Sequence, residues 1–339
     1  SQLSALADTL TAQYKNRIID QPTLKRMLPT MRLYVTSGQE NPLANMLRAS
    51  ANTYFKDLLI DVTTSAEQGV NGHAHIYALN ADSTRIDTIT LNLKDSDHGL
   101  TFQAVVANNK RNPQFVFRAL ADGHLYERGA RVGVRFFDEH GRMGLRLGAT
   151  AAMEPNGISF HLMPSRPTIG YKEFQLNDDN FLLIRDDLKL QAKVDLIADD
   201  GTGVKIYSED QDSTLLQDLT VSLHRFDLEK VTSVLPYMLP RISGMLDGDY
   251  HLMMNQQKQI SVASDMQVKS LTYEGNPIGN LSSEFVYLQR EDDTHAVEGV
   301  LMLDNKRVAV LQGEYVNRGS GYLDANLALE RFPLSMVNG

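Results

Sequence analysis

Cysteine and tryptophan are absent from this 339-residue chain, and acidic side chains outnumber basic ones. Without cysteine, the chain can form neither disulfides nor thiolate metal sites. The 42 acidic and 33 basic side chains give a formal net charge of -9. This charge argues against nucleic acid and anionic membrane surfaces as partners, because both bind through Lys and Arg. The sequence also has no apolar run that approaches the ~20 residues of a membrane-spanning helix.

Apolar residues recur with a helical spacing near the N-terminus and with a period of two in most of the remaining chain. Leu3, Leu6 and Leu10 begin a pattern that predicts largely helical structure over residues 3–58. Further on, alternation such as Ile89-Thr-Leu-Asn-Leu93 is typical of strands with one apolar and one polar face. Turn sequences separate these runs, which favours an antiparallel meander over a fold with crossover helices.

Two details refine the prediction for the N-terminal helices. The tract Asp20-Gln-Pro22 is expected to end the first helix, because proline interrupts helical hydrogen bonding. The pair Asn41-Pro42 is expected to begin a second helical stretch that continues to residue 59. We interpret the whole stretch as a small helical cap that covers a sheet edge.

One segment of the sequence occurs once in full and once in part. Phe226-x-Leu228 opens a short helical pattern limited by Pro236 and Pro240, and Gly244-x-Leu246-x-Gly248 follows it. Phe332-x-Leu334 begins the same pattern again close to the end of the sequence. A short helix that recurs between β-rich segments is typical of a modular protein. We therefore expect these residues to be an internal piece of a longer chain.

These motifs resemble the TamB family, a branch of the AsmA-like proteins of diderm bacteria. The resemblance rests on the helical pattern at 226–239, on Gly244-x-Leu246-x-Gly248, and on Pro277-Ile-Gly-Asn-Leu281, which leads into a long strand. It extends over residues 215–339. Residues 60–214 match the family only in their strand pattern, and residues 1–58 do not align with it.

The resemblance implies a mainly β fold built as an elongated antiparallel sheet that curls into a groove-like β-taco. We expect a small N-terminal helical segment and a short inserted helix near 226–239. The expected domains are a helical cap or connecting segment at 1–58 and a β-rich module at 59–213. A TamB-like β module at 214–331 follows, and residues 332–339 begin a further, truncated repeat.

The resemblance also implies a location and a role. Proteins of this family are periplasmic, are anchored in the inner membrane by an N-terminal helix, and serve outer-membrane biogenesis. They are linked to phospholipid passage between the membranes and to the assembly of outer-membrane β-barrel proteins, with an Omp85-type barrel as a partner. The present residues lack both the anchor and the C-terminal end of the family, so we expect any barrel contact to lie outside them.

A long meander must cover its apolar face with another sheet, with helices or with a ligand. The helical pattern here is too short to cover most of the sheet, so a groove filled by phospholipid acyl chains is one solution. A closed sandwich core made of the same residues is the other. We predict that the groove is lined by ten apolar side chains: Leu219, Val221, Leu223, Ile260, Val262, Met266, Val268, Leu323, Leu327 and Leu329.

The sequence offers little that could support catalysis. It contains no G-x-S-x-G elbow, no P-loop and no H-E-x-x-H motif. His73-Ala-His75 would place two rings on one face of a strand, but the sequence suggests no third ligand nearby. Asp95-Ser-Asp97 and Asp210-Gln-Asp212 lack the remaining residues of a calcium loop and are interpreted as turns. We therefore predict a protein without enzymatic activity, without a cofactor and without a metal site.

Two other functions remain open at this point. A scaffold or chaperone-like module would pair an open sheet edge with strands of an incoming outer-membrane protein. An adhesin or carbohydrate-binding β-sandwich would present aromatic platforms to a glycan, and the absence of tryptophan counts mildly against it.

Overall fold

The computed structural model describes residues 2–16, 20–82, 84–187, 189–208, 214–232, 240–290, 292, 294–316 and 321–330. Within these ranges the chain forms four α-helices and 22 β-strands, and the strands belong to an antiparallel sheet. The predicted fold class, mainly β and antiparallel with few short helices, is confirmed. The chain divides into two compact units, which are Ser1–Pro164 (unit 1) and Ser165–Gly339 (unit 2).

The division between the units falls inside one strand, Gly157–Ile169. It therefore lies within the stretch 59–213 that the sequence analysis treated as one module. The four-part division of the sequence stays a prediction. Residues 332–339, predicted to begin a further repeat, lie outside the described residues.

Unit 1 begins with short helices and continues as a meander of long strands. Its helices are α1 (Gln2–Lys15), α2 (Gln21–Arg26) and α3 (Pro42–Ala51). Its strands are β1 (Met31–Gly38), β2 (Thr53–Tyr54), β3 (Asp57–Ser65), β4 (Gly69–Ala81), β5 (Thr84–Ser96), β6 (Gly99–Asn108), β7 (Phe117–Tyr126), β8 (Gly129–Phe137), β9 (Met143–Glu154) and the first part of β10 (Gly157–Ile169). From β3 to β9 each strand pairs with the next one along the chain.

Unit 2 contains short strands at its start and long hairpins after them. The strands are β11 (Lys172–Glu173), β12 (Gln175–Leu176), β13 (Phe181–Arg185), β14 (Leu190–Ile197), β15 (Gly203–Ser208), β16 (Leu215–Asp227), β17 (Ile242–Asn255), β18 (Ile260–Tyr273), β19 (Asn276–Gln289), β20 (Thr294–Leu303), β21 (Lys306–Val316) and β22 (Tyr322–Leu329), with helix α4 (Leu228–Thr232) between β16 and β17. From β14 to β22 successive strands pair with each other.

The N-terminal helices agree with the sequence pattern, and their caps explain where they begin. Asn41 accepts a hydrogen bond from the Ala44 backbone N–H and so caps α3, as the Asn41-Pro42 pair predicts. Asp20 does the same for α2 by accepting from the Thr23 backbone N–H. The Asp20-Gln-Pro22 tract therefore begins a helix in addition to following one, since proline is well tolerated in the first turn.

The prediction of largely helical structure across 3–58 is wrong in the middle of that stretch. Strand β1 occupies Met31–Gly38 and pairs antiparallel with β3, from Met31 opposite Thr64 to Gly38 opposite Asp57. The reason is visible in the sequence, because Leu33 and Val35 alternate with polar neighbours and gain a partner strand that is distant in the chain. Helix α3 also ends at Ala51, earlier than predicted.

The inserted helix predicted near 226–239 begins at Leu228, because Phe226 and Asp227 still belong to β16. Helix α4 spans Leu228–Thr232, and residues 233–239 lie outside the described residues. The Lys230 backbone N–H donates to the Asp227 carboxylate at 3.3 Å, which satisfies one amide at the start of the helix.

Unit 2 has a line of β-bulges near one end of its long strands. Pairing shifts occur after Leu223 in β16, after Ser243 in β17, after Val268 in β18 and after Leu301 in β20. Because the strands are antiparallel and successive, these positions lie at the same end of the sheet. A bulge bends its strand and increases the local twist, so this line marks where the sheet of unit 2 bends.

Gly244, the first glycine of the Gly244-x-Leu246-x-Gly248 motif, lies at one of these bulges. Its φ of +141° is a backbone conformation that residues with a side chain rarely adopt. A Cβ atom at this position would lie 2.8 Å from Val268 Cγ1, which is too close for two carbon atoms. The motif glycine is therefore required by the bulge.

We expect Gly244→Ala to lower the free energy of unfolding by about 1 to 3 kcal/mol, because it combines backbone strain with a steric clash. Gly313→Ala is the matched control, since Gly313 lies in the same unit without a positive φ and with its nearest atom 3.5 Å from the new Cβ. Urea unfolding followed by circular dichroism measures both variants. Equal unfolding midpoints for the two variants would contradict the structural role of Gly244.

Candidate functional site

Strand register in unit 2 brings apolar side chains from many strands onto one face, here called the apolar face of unit 2. Directly paired residues of antiparallel strands point to the same side of the sheet. One row of such pairs connects Val221 to Tyr250, Ser264, Phe285, Gly299, Leu311 and Leu327 in turn. This row crosses the seven strands β16 to β22.

All ten residues predicted to line a groove lie on this apolar face. Leu219 is linked through Leu252 to Val262, and Leu223 is linked through Gly248 to Met266. The other members follow by period two along β16, β18 and β22. The strand pairings therefore place all ten side chains on the same face of the sheet, as predicted. They are Leu219, Val221, Leu223, Ile260, Val262, Met266, Val268, Leu323, Leu327 and Leu329.

The exposure of these ten side chains changes along the sheet. Leu219 and Val268 are buried, with 8% and 4% of their surface exposed. Val221, Leu223, Val262 and Met266 are half-buried, and Ile260 is 38% exposed. The three leucines of β22, at 323, 327 and 329, are 69%, 59% and 57% exposed. The face therefore includes part of a packed core at β16–β18 and open apolar surface at β22.

The opposite face of the same sheet is polar at β16 to β18 and carries charged groups. His251 donates to the Asp218 carboxylate at 2.5 Å, and on the preceding strands β14 and β15 the Lys205 ammonium lies 3.6 Å from an Asp195 carboxylate oxygen. On this face, the pairs next to the apolar row connect Ser222 to Asp249, Asp265 and Glu284 in turn. The two faces therefore differ clearly at β16 to β18, whereas at β19 to β21 the opposite face also carries Val286, Val300 and Val310.

Several members of the apolar face were missed by the sequence analysis. They come from β17, β19 and β21 and include Leu246, Tyr250, Leu252, Leu281, Phe285, Tyr287 and Leu311. In β19 the signal is blurred, because Val286 and Leu288 on the opposite face are also apolar and are 49% and 43% exposed. In β17, Leu246, Tyr250 and Leu252 alternate with acidic and histidine neighbours, and this pattern is sufficient to predict that they share an apolar face.

Unit 1 has an apolar face of its own, and its helices cover one end of it. The row Ile60, Ala74, Leu91, Ala104, Ala121, Val134 and Leu147 is established by direct pairing across β3 to β9. Helices α1 and α2 lie over the hairpin ends and leave a cavity of about 500 Å³ beside them. Leu6, Leu24, Leu100 and Leu125 contribute apolar walls, with Lys25 and Asp97 at its polar part.

Comparisons with known proteins provide no relative for this chain. No family model matches it, and neither the curated proteins nor the solved structures that were searched gave a significant match. Within the described ranges, no helix has the length and apolar character that crossing a membrane requires. The function must therefore be argued from the two apolar faces and their surroundings.

We expect Leu219→Ala to lower the free energy of unfolding by about 2 to 5 kcal/mol, since it leaves a cavity in a packed region. Leu323→Ala makes the same chemical change on the same face at an exposed position, and we expect an effect within about 0.5 kcal/mol. Chemical denaturation of both variants tests this difference. A similar large loss of stability in both would show that β22 is packed as tightly as β16.

Proposed function

We propose that this chain is a non-enzymatic periplasmic segment of a TamB-like protein that serves outer-membrane biogenesis. In this proposal the apolar face of unit 2 holds phospholipid acyl chains as they pass between the inner and outer membranes. The observation that supports it is the mostly apolar row from Val221 to Leu327, interrupted at Ser264 and Gly299, on a face that ends in the exposed leucines 323, 327 and 329.

Burial of hydrocarbon is sufficient to bind a lipid on such a face. Each methylene group removed from water contributes about 0.8 kcal/mol, so an acyl chain needs no specific polar contact. Several such rows lie side by side on this face, two residues apart along each strand, and together they form an apolar surface that suits a long acyl chain. The cavity of about 500 Å³ in unit 1 also falls within the roughly 300–1,000 Å³ range of small-molecule pockets.

Native mass spectrometry of the protein purified from bacterial membranes, followed by lipid extraction, tests the proposal directly. We expect phospholipid to remain bound through purification. A stably folded protein without lipid, which also fails to take up lipid from vesicles, would contradict the proposal and favour a closed core.

We expect Leu327→Asp to reduce the bound phospholipid severalfold without unfolding the chain, because an ionised carboxylate is costly to bury against hydrocarbon. Asn326→Asp is the matched control, since it adds the same charge to the same strand on the opposite face. Lipid per protein is measured after purification, and folding is measured by circular dichroism.

A second pair of variants tests the same face at β16, where the surface is less exposed. Val221→Asp should also reduce bound lipid, whereas Thr220→Asp, which faces His251 on the polar side, should not. If Val221→Asp unfolds the chain and Thr220→Asp does not, Val221 belongs to a packed core. The lipid bound by Leu327→Asp then tests the proposal. Equal lipid in Leu327→Asp and Asn326→Asp would contradict the proposal for this face.

One observation favours a second candidate function, a scaffold that pairs with an incoming strand. Strand β22 pairs with β21 along one edge, from Val316 opposite Tyr322 to Ala309 opposite Leu329, and all eight of its residues are exposed. An extended segment of another protein could add to an exposed edge by main-chain hydrogen bonding.

Proline substitutions at two adjacent positions of β22, Asp324→Pro and Ala325→Pro, separate the two functions. Neighbouring N–H groups of a strand point to opposite edges, so one variant loses a bond to β21 and the other loses an outward N–H. For a scaffold, the variant that keeps its stability should lose binding to an outer-membrane protein strand. Unchanged binding in that variant, measured by crosslinking to an unfolded β-barrel protein, would exclude strand addition at β22.

A further inference from the structure

Two histidines on strand β4 form the centre of a hydrogen-bonded chain on the polar face of unit 1. The nearest nitrogens of the two rings, His73 Nε2 and His75 Nδ1, are 3.2 Å apart. The outer nitrogen of His73, Nδ1, lies 2.7 Å from Asn92 Oδ1, and the outer nitrogen of His75, Nε2, lies 2.6 Å from Asp57 Oδ2. Residues from β3, β4 and β5 thus meet in one chain of four side chains.

The positions of the protons in this chain follow from the partners of the outer nitrogens. An ionised carboxylate and an amide oxygen only accept hydrogen bonds. With the Asn92 amide oxygen turned toward His73, the outer nitrogens of both rings donate, to Asp57 and to Asn92. In two neutral imidazoles, His73 Nε2 and His75 Nδ1 would then both present lone pairs to each other at 3.2 Å. This arrangement is repulsive, and two changes relieve it: a positive centre between the two atoms, or a turned Asn92 amide whose NH₂ group donates to His73 and lets His73 donate to His75.

The spacing of the two inner nitrogens matches that of two ligands on one metal ion. Nitrogens at 2.0–2.1 Å from a tetrahedral zinc ion lie about 3.3 Å apart, which is close to the observed 3.2 Å. We propose that His73 and His75 bind one divalent transition-metal ion of the class that prefers imidazole, such as Zn²⁺ or Cu²⁺, between His73 Nε2 and His75 Nδ1. The sequence analysis predicted no metal site because no third ligand was recognisable.

The surroundings hold both rings in the orientation that metal binding requires. Metal-bound histidines commonly donate their other N–H to a carboxylate or carbonyl oxygen, which selects the tautomer and raises ligand basicity. Asp57 and Asn92 have this role for His75 and His73. The Tyr77 ring also stacks on His75, with the ring centres 4.4 Å apart, and the His75 side chain is only 13% exposed.

Water would complete the coordination of an ion bound by the two rings. Among the described residues, no group of three or more His, Asp or Glu side chains could hold a metal ion. Asp61 lies directly opposite His73 on the neighbouring strand, but Arg32 binds both of its oxygens at 2.7 Å. Hydrogen bonds from Arg32 also lower the pKa of Asp61, which keeps this carboxylate charged and paired. We therefore infer a two-histidine site that is weaker than a closed structural zinc site.

This site is independent of the proposed lipid function. It lies on the face opposite the apolar row of unit 1, because His73 and His75 alternate with Ala74 of that row. Metal binding can therefore be present or absent whatever the outcome of the lipid experiments.

Titration of the full chain with Zn²⁺ alone, by isothermal calorimetry in a non-chelating buffer, tests the proposal. We expect one saturable equivalent in the wild type and at least a tenfold loss of affinity in His73→Gln and in His75→Gln. Asp57→Asn should weaken binding about 10- to 100-fold while leaving both ligands in place. Cu²⁺ electron paramagnetic resonance should show two nitrogen ligands in the wild type and one in each single histidine variant.

His124→Gln and Asp122→Asn are the matched controls, since both are on strands of unit 1 and neither contacts the pair. His124 instead lies 2.7 Å from the His98 carbonyl oxygen, and Asp122 accepts from Arg135. Both controls should bind Zn²⁺ like the wild type. Zinc affinity that is equal in His73→Gln, His75→Gln and wild type would overturn the proposal. Imidazolium signals in ¹⁵N NMR without saturable zinc binding would also overturn it, because the positive centre would then be a proton.

Discussion

The register of the antiparallel strands is the constraint on which the rest of this structure depends. Side chains alternate between the two faces with a period of two, so a slip of one residue in any strand would exchange its apolar and polar sets. In unit 2 the register is continuous from Val221 to Leu327 across seven strands. The apolar face exists only because each strand pairs with the next in a register that keeps the apolar side chains of both strands on the same side of the sheet.

The two faces that this register creates differ in their chemistry. The apolar face is buried at Leu219 and Val268 and open at the leucines of β22, which is the basis for proposing a binding surface for hydrocarbon. The polar faces carry ion pairs and histidines that are held by neighbouring strands. The His73 and His75 pair belongs to this second class of surface, because its four side chains come from three adjacent strands.

The bulges show how a regular sheet acquires a local bend at one end, where an extra residue interrupts the pairing. They occur at one end of four strand pairs, and Gly244 permits one of them through a backbone conformation that a Cβ would oppose. The motif that suggested a family resemblance therefore has a physical role in this chain. Bending near Gly244 alters the direction of the strand, and the pairing shifts by one residue across the bulge.

The sequence by itself determined the fold class, because period-two alternation and turn residues leave few alternatives to an antiparallel meander. It also predicted that all ten lining residues lie on one face of the sheet, since each lies in a strand with clear alternation of apolar and polar residues. It did not place β1, whose short alternating run became a strand only through pairing with β3. It also omitted the apolar residues of β19, where apolar side chains occur on both faces.

Only the tertiary structure decided which residues from distant parts of the chain meet. Exposure at Leu327 and burial at Leu219 depend on what packs against each strand, and the two leucines have the same local pattern. Similarly, His73-Ala-His75 is a weak signal in the sequence, and its meaning depends on Asp57 and Asn92 from neighbouring strands. Local periodicity specifies the face of a side chain, whereas its partners and its exposure arise from long-range pairing.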